Sequence, residues 1–395
     1  MTVHLADGRP DRARRRRWNV VLVALALVCA ACADTDRQTE PSAAGTPSTT
    51  SAAPPATEAT GPGTPAPRPL ATRATLTVNR SLTSALSFSS VLLAQEMGEF
   101  AKENVDVHFV SENSVNALLL LQKGRIDGSI LGLNAGVFNA VAAGAEVRFV
   151  LPFGTAGPGD QSGFWARRDV LEPDGRFDPC VFGRGARPDG TTVVSVNDST
   201  GLGSPVTIAL ARLIEQCPGQ TLKSVRDRIT VSTVVGPNLL VALQQGAVDL
   251  AFLLSPLPDT PGITDYASLA YSIGIDDPGA DYAGWALGPV RDKQPELADA
   301  FVRAVVRTVR TYLQGNYLAN PDVLNALARA LNIPADVLSK SRPVVFRPDQ
   351  RLRTGPGLAQ LQGYWADVGG LLSYDKPLDG SRVVDVGPVD RVVHS

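Results

Sequence analysis

One twelve-residue pattern occurs twice in the chain. Asn116-Ala-Leu-Leu-Leu-Leu-Gln122-Lys-Gly124-Arg-Ile126-Asp127 aligns without gaps to Asn238-Leu-Leu-Val-Ala-Leu-Gln244-Gln-Gly246-Ala-Val248-Asp249, 122 residues further on. In each copy an apolar helix ends at a Gly suited to the left-handed position that closes a helix, and an Ile or Val followed by Asp leads into a new strand. Copies so far apart are not neighbouring units of a solenoid. They predict two similar lobes, each with its own small sheet.

The surrounding sequence alternates short β-branched runs with helical segments. The runs are Thr75 to Val78, Val105 to Val110, Gly128 to Leu131, Val147 to Leu151, Thr192 to Val196, Ile229 to Val235 and Leu250 to Leu254. Strands alternating with helices predict βαβ units, mainly parallel sheets covered on both faces, and an α/β class. With 395 residues, 44% of them hydrophobic and 19% charged, the chain can bury a large core. Tyr282 to Pro289 reads as a returning strand, and the apolar spacing from Glu296 to Val309 fits an amphipathic helix. Further helices are expected at 322–331 and 357–368, packed back on the first lobe.

The N-terminus carries a processing signal. Arg12 and Arg14 to Arg17 precede an apolar run from Val20 to Val28, too short to span a bilayer comfortably, followed by Cys29-Ala30-Ala31-Cys32. Small residues before a cysteine resemble the lipobox of bacterial lipoproteins, which implies acylation at Cys32; Cys29 stands where that pattern usually has Leu, and plain cleavage and release is the alternative. Residues 33–74 are rich in Thr, Ser, Pro, Ala and Gly and read as a disordered tether. The expected division is a signal peptide at 1–32, the tether at 33–74, the first part of lobe one with a crossover at 75–190, lobe two at 191–270, and the return to lobe one with C-terminal helices at 271–395.

In open α/β sheets a ligand sits beyond the carboxyl ends of the strands. That rule selects Ser84, Ser111, Asn113, Asn134 and Thr155 in lobe one, and Ser199, Thr200, Gly201, Ser204, Asn238 and Ser255 in lobe two. Asp198-Ser-Thr-Gly-Leu-Gly-Ser204, entering a helix at Pro205, reads as an oxyanion cradle of hydroxyls and backbone N–H groups, or simply as a helix cap. Asp127 and Asp249 lie at the strand ends opposite the cleft and are expected to be structural. Arg80 and Glu112 lie on the cleft side, with a solvated loop as the plain reading.

Other chemistries find little support. The three histidines, His4, His108 and His394, are scattered, so neither a metal site nor a Ser-His-Asp arrangement is expected. No P-loop or dinucleotide fingerprint occurs, no cofactor is expected, and no catalytic residue is assigned. The net charge of −2 supplies no electrostatic footprint for nucleic acid. Cys180 and Cys217, the only cysteines after Cys32, are expected to form a disulfide in an exported chain.

The segment Ser87-Phe88-Ser-Ser-Val-Leu-Leu-Ala94-Gln95-Glu96-Met-Gly98-Glu-Phe100, with the two Gly-x-x-Asp repeats, resembles the solute-binding proteins of nitrate, sulfonate and taurine importers. That family shares its fold with thiamine-pyrimidine binding and synthesis proteins, and the likeness covers roughly residues 75–290. It implies a two-lobed, type II periplasmic-binding-protein fold. It also implies capture of a small polar or anionic solute, delivery to an ABC permease and its ATPase, and a monomer lipid-anchored outside the cell membrane. The cysteine-rich motif of the pyrimidine synthases is missing. Residues 169–190 read as a long crossover insertion near the hinge, and Pro152 to Gly163 as a glycine-rich loop that reshapes the cleft. A non-transport enzyme on this scaffold and a surface receptor lipoprotein are the competing readings.

Overall fold

The computed structural model describes residues 68–80, 85–157, 159–273, 281–353 and 357–393. The signal peptide with Cys32, most of the tether, and Ser84 lie outside the described residues.

The strands are β1 (Ala74–Asn79), β2 (Val105–Val110), β3 (Gly128–Gly132), β4 (Arg148–Pro152), β5 (Gly163–Arg167), β6 (Thr192–Ser195), β7 (Ile229–Val231), β8 (Leu250–Leu253), β9 (Ala267–Ser272) and β10 (Ala283–Leu287). They form two five-stranded sheets, ordered β2-β1-β3-β10-β4 and β7-β6-β8-β5-β9. The two orders are one pattern. In each, a central strand pairs in parallel with two neighbours, β1 with β2 and β3, and β6 with β7 and β8. In each, the fourth position is an antiparallel strand whose chain has just arrived from the other sheet, β10 in the first and β5 in the second.

The sequence repeat occupies equivalent places in this pattern. Its helices are α2 (Ser114–Gln122), leading to β3, and α5 (Asn238–Gln244), leading to β8. Gly124 and Gly246 close them at φ of 61° and 71°, the left-handed conformation that glycine adopts without a Cβ clash. The two repeat aspartates then perform the same task. Asp127 accepts the Thr77 N–H at 2.8 Å and donates its own N–H to the Thr77 carbonyl. Asp249, fully buried, does this with Val193 and also takes Arg167 and Arg187 as charge partners. Both are structural, as expected.

The other principal helices are α1 (Ser89–Glu96), α3 (Ala135–Ala142), α4 (Thr207–Glu215), α6 (Pro295–Tyr312), α7 (Pro321–Leu331), α8 (Gly357–Val368) and α9 (Gly387–Val393). The long α6 buries its apolar stripe, including Leu297, Phe301, Val305 and Val309, against lobe one. Helix α7 starts at Pro321 with the Asn320 side chain capping the Asp322 N–H, and it packs on α1. Helix α8 reaches further than lobe one. It lies on α4 of lobe two, while Trp365 sits edge-on to Phe138 of lobe one at 5.5 Å between ring centres.

Two strands were not anticipated, and they move a boundary. Strand β5 belongs to the second sheet, so lobe two begins at Gly163 rather than at residue 191. Residues 169–190 are therefore not the crossover; they lie within lobe two, where Cys180 and Cys217 are joined by a disulfide with Cα atoms 5.1 Å apart. The crossover is the shorter, glycine-rich 153–162. Its strand was hidden because Gly163-Phe-Trp-Ala follows glycine-rich sequence with no alternation, and β9 (Ala-Ser-Leu-Ala-Tyr-Ser) has no β-branched residue.

Candidate ligand cleft

Two passages join the lobes: residues 153–162 going out, and the return between β9 and β10. A third segment, 342–353, crosses both. Thr155 and Val345 exchange two backbone hydrogen bonds of 2.8 Å, and Arg342 donates to the Gly159 carbonyl. At the return passage, Asp281 donates its N–H to the Arg353 carbonyl at 2.9 Å and accepts the Arg353 N–H at 2.7 Å. Arg347 completes the strap by pairing with Asp281.

Between the lobes and over this strap lies a cavity of about 590 Å³. Lobe one supplies Ser87, Phe88 and Gly132; the outgoing passage Phe153 to Ala156, Asp160 and Ser162; lobe two Val196 to Asp198, Ser204 to Val206, Ile208, Arg212, Phe252, Leu254, Ser255 and Tyr271; the return passage Asp281 and Tyr282; and the strap Val344, Val345, Arg347 and Arg353. The walls are mainly apolar, with Phe88 and Phe153 paired at 4.6 Å between ring centres. A smaller recess of about 100 Å³ shares Phe88, Gly132, Phe153, Asn197 and Asp198 and adds Asn113 and Ser199.

The lobes touch beside the cavity. A Cβ on Gly132 would lie 3.0 Å from Cγ and Cδ of Pro205, and one on Gly203 would lie 3.5 Å from the Ala135 Cβ. The Trp365 indole N–H reaches the Ser204 carbonyl at 3.4 Å. Leu86 donates its N–H to the Ser255 carbonyl at 3.1 Å.

Of the residues selected from strand ends, Thr155, Ser204 and Ser255 line the cavity, and Asn113 and Ser199 line the recess. The other described ones stand apart from both. Asn134 is buried and caps α3 through the Val137 N–H. Ser111 is exposed and accepts from Arg80, Asn238 is exposed at the start of α5, and the Thr200 hydroxyl and Gly201 N–H bond back to Asp198.

The segment read as an oxyanion cradle does not present one. Asp198 Oδ1 takes both the Thr200 N–H at 2.8 Å and its hydroxyl at 2.9 Å. The N–H groups of Gly201, Gly203 and Ser204 bond back to Asp198, Thr200 and Gly201 carbonyls, and Ser204 Oγ accepts the Val206 N–H. Four of the turn's N–H groups and the Thr200 hydroxyl are engaged inside the turn, and a carboxylate stands where an anion was expected.

Charge in the cavity is divided. Asp281, 7% exposed, is neutralised by Arg347. Desolvation pushes the Asp198 carboxyl above the usual carboxylate range, against the Thr200 hydrogen bonds that pull it down. Outside the lining, desolvation also raises Asp259, opposed by Arg342 and reinforced by Asp160. Asp160 accepts the Ser162 N–H through Oδ1, while its Oδ2 is buried with no hydrogen bond; Asn197 Nδ2 is buried in the same condition. Among the described residues, no group of three or more His, Cys, Asp or Glu is arranged to hold a metal ion.

No protein-family model matches the chain, and no curated protein matches it by sequence. Solved structures match it by fold. The alkanesulfonate-binding protein SsuA from Xanthomonas axonopodis pv. citri, bound to MOPS, superposes with a TM-score of 0.55 and 16% identity, over 80% of this chain and 99% of its own. The periplasmic nitrate-binding protein NrtA from Synechocystis PCC 6803 gives 0.60 and 12%, over 82% and 89%. DszB in complex with biphenyl-2-sulfinic acid gives 0.51 and 15%, over 81% and 99%. At these identities the likeness shows the two-lobed fold of periplasmic binding proteins.

Proposed function

We propose that this chain is the extracytoplasmic solute-binding component of an ABC importer. It captures a small solute between its lobes and presents it to the permease, which the transporter's ATPase drives. The observation that carries this reading is the cavity itself, about 590 Å³ and bounded by both lobes and both passages. Its size suits one small organic molecule, and a site at the junction of two α/β lobes is where such ligands bind.

The Arg-rich leader with Cys32 supports export and acylation, and a tether such as 33–74 lets a monomeric domain reach a membrane partner. Thr155, Ser204 and Ser255 are the proposed contacts in the cavity, with Asn113 and Ser199 at the recess. Solute drives lobe closure only through its higher affinity for the closed state.

A thermal-shift screen of the purified chain tests the reading. Sulfonates, taurine, nitrate and thiamine pyrimidines form the starting panel, joined by amines, amino acids and sugars. One chemical class should raise the melting temperature in a concentration-dependent way, since a ligand of the native state stabilises it. Silence across the panel would overturn the reading.

An enzyme on the same scaffold is the second reading, favoured by the desolvated Asp198 carboxyl in the cleft. Chemical turnover of a bound solute that is lost in Asp198→Asn would establish it.

A further inference from the structure

The cavity's acids indicate what kind of solute it takes. Asp160 is 8% exposed and lines the cavity, and its Oδ2 is buried without a hydrogen bond. Buried acceptors are almost always satisfied, so an orphaned carboxylate oxygen on a residue that lines a cavity is a place for a donor that arrives with the ligand. The protein's own cations do not fill it. Arg342 donates to the Gly159 carbonyl, and Arg347 is engaged by both oxygens of Asp281. Arg353 is exposed to water, and the half-buried Arg212 donates to Gln360. Asp198 adds a second acid on the lobe-two wall, with the N–H groups of Thr200, Gly201, Gly203 and Ser204 already engaged within its turn. An anionic solute would meet both acids in a poorly solvated space. The remaining walls, including Phe88, Phe153, Phe252, Leu254 and Tyr271, suit an apolar or aromatic body.

We infer that the solute is an amphiphile with a protonated nitrogen, that Asp160 receives this nitrogen, and that the apolar body lies against the aromatic walls. The inference rests on the solute-binding reading and narrows it away from sulfonate and nitrate.

Isothermal titration calorimetry on the full chain tests it with matched probes: phenyl, indolyl and naphthyl groups on an ethyl arm ending in ammonium, sulfonate or hydroxyl. At least one ammonium probe should bind about tenfold or more tightly than its sulfonate and hydroxyl counterparts, as expected for a hydrogen bond to a buried charge. Asp160→Asn should weaken that probe by about tenfold or more while the ligand-free melting temperature holds or rises, because Asn retains the acceptor for Ser162 and removes the orphaned charge. Asp198→Asn should weaken it less. Preference for the sulfonate probes, unchanged ammonium binding in Asp160→Asn, or a lower melting temperature in that variant overturns the inference and leaves the solute-binding reading standing. If none of these probes binds and the thermal-shift panel is also silent, both fall.

Discussion

Arg347 holds both carboxylate oxygens of Asp281, Nη1 to Oδ1 at 3.1 Å and Nη2 to Oδ2 at 2.7 Å. The pair fastens the strap to the return passage between the lobes. Arg347→Met leaves Asp281 buried with one backbone N–H, from Arg353, on its carboxylate. Stranding a buried charge costs about 3–5 kcal/mol, and the remaining N–H places this case at the lower end. Urea denaturation measures it; a loss below about 1 kcal/mol, the range of exposed pairs, would mean that water reaches the carboxylate.

Acid should unfold the α6 face of lobe one. Desolvation raises the Glu99 carboxyl, but hydrogen bonds from Lys102, Arg307 and Tyr312 outweigh it and hold the group below its ordinary value of 4.5. A depressed folded pKa contributes stability that is present above the ordinary value and is lost as pH falls through the folded one. Arg307→Met should lower the melting temperature at pH 7 and flatten its dependence on pH below 4.5. An unchanged acid slope in the variant counts against this network.

Asp198 works in the opposite sense. Its folded pKa is raised by desolvation, so its contribution is fully present below the ordinary value of 3.8 and is lost as pH rises through the folded pKa. Asp198→Asn should melt higher than the parent at pH 7, with the gap closing toward pH 3.8. The Asn oxygen can still accept from Thr200. A variant that melts lower at pH 7 would show that the ionised carboxylate has an attractive partner in the folded chain.

Gly132 marks where the lobes meet. A methyl there would lie 3.0 Å from two atoms of Pro205, so Pro205 or the lobe behind it must shift. Overpacking of this kind costs about 1–3 kcal/mol. We expect Gly132→Val to charge that cost to the closed arrangement, weakening solute binding about tenfold or more while denaturant stability without solute falls less. Equal solute affinity in the variant would show that closure does not require this contact.

The lobes and most strands were legible because buried parallel strands appear as unbroken apolar runs and because Gly124-Asp127 and Gly246-Asp249 solve the same local problem twice. The cleft was legible in part. Thr155, Ser204 and Ser255 follow from strand ends, yet the cradle reading at 198–204 overlooked that Asp competes for the N–H two residues ahead, a preference visible in the sequence itself. The strap left no such trace. Val345, Arg347 and Arg353 belong to none of the named helices or strands, and their partners Thr155 and Asp281 are more than seventy residues away in all but one pairing, Arg353 lying 72 from Asp281 and Arg347 lying 66. No local periodicity can encode contacts of that kind.

The strap also gives the cavity and the hinge a common member. Val344, Val345, Arg347 and Arg353 line the cavity, and the same short stretch is bonded to both passages between the lobes. On the proposed solute-binding reading, a solute that presses on this stretch acts on the joint directly, without a relay through either sheet. Recognition and stiffness are then adjustable together, and a single exchange within 342–353 can alter which molecule is held and how readily the jaws part.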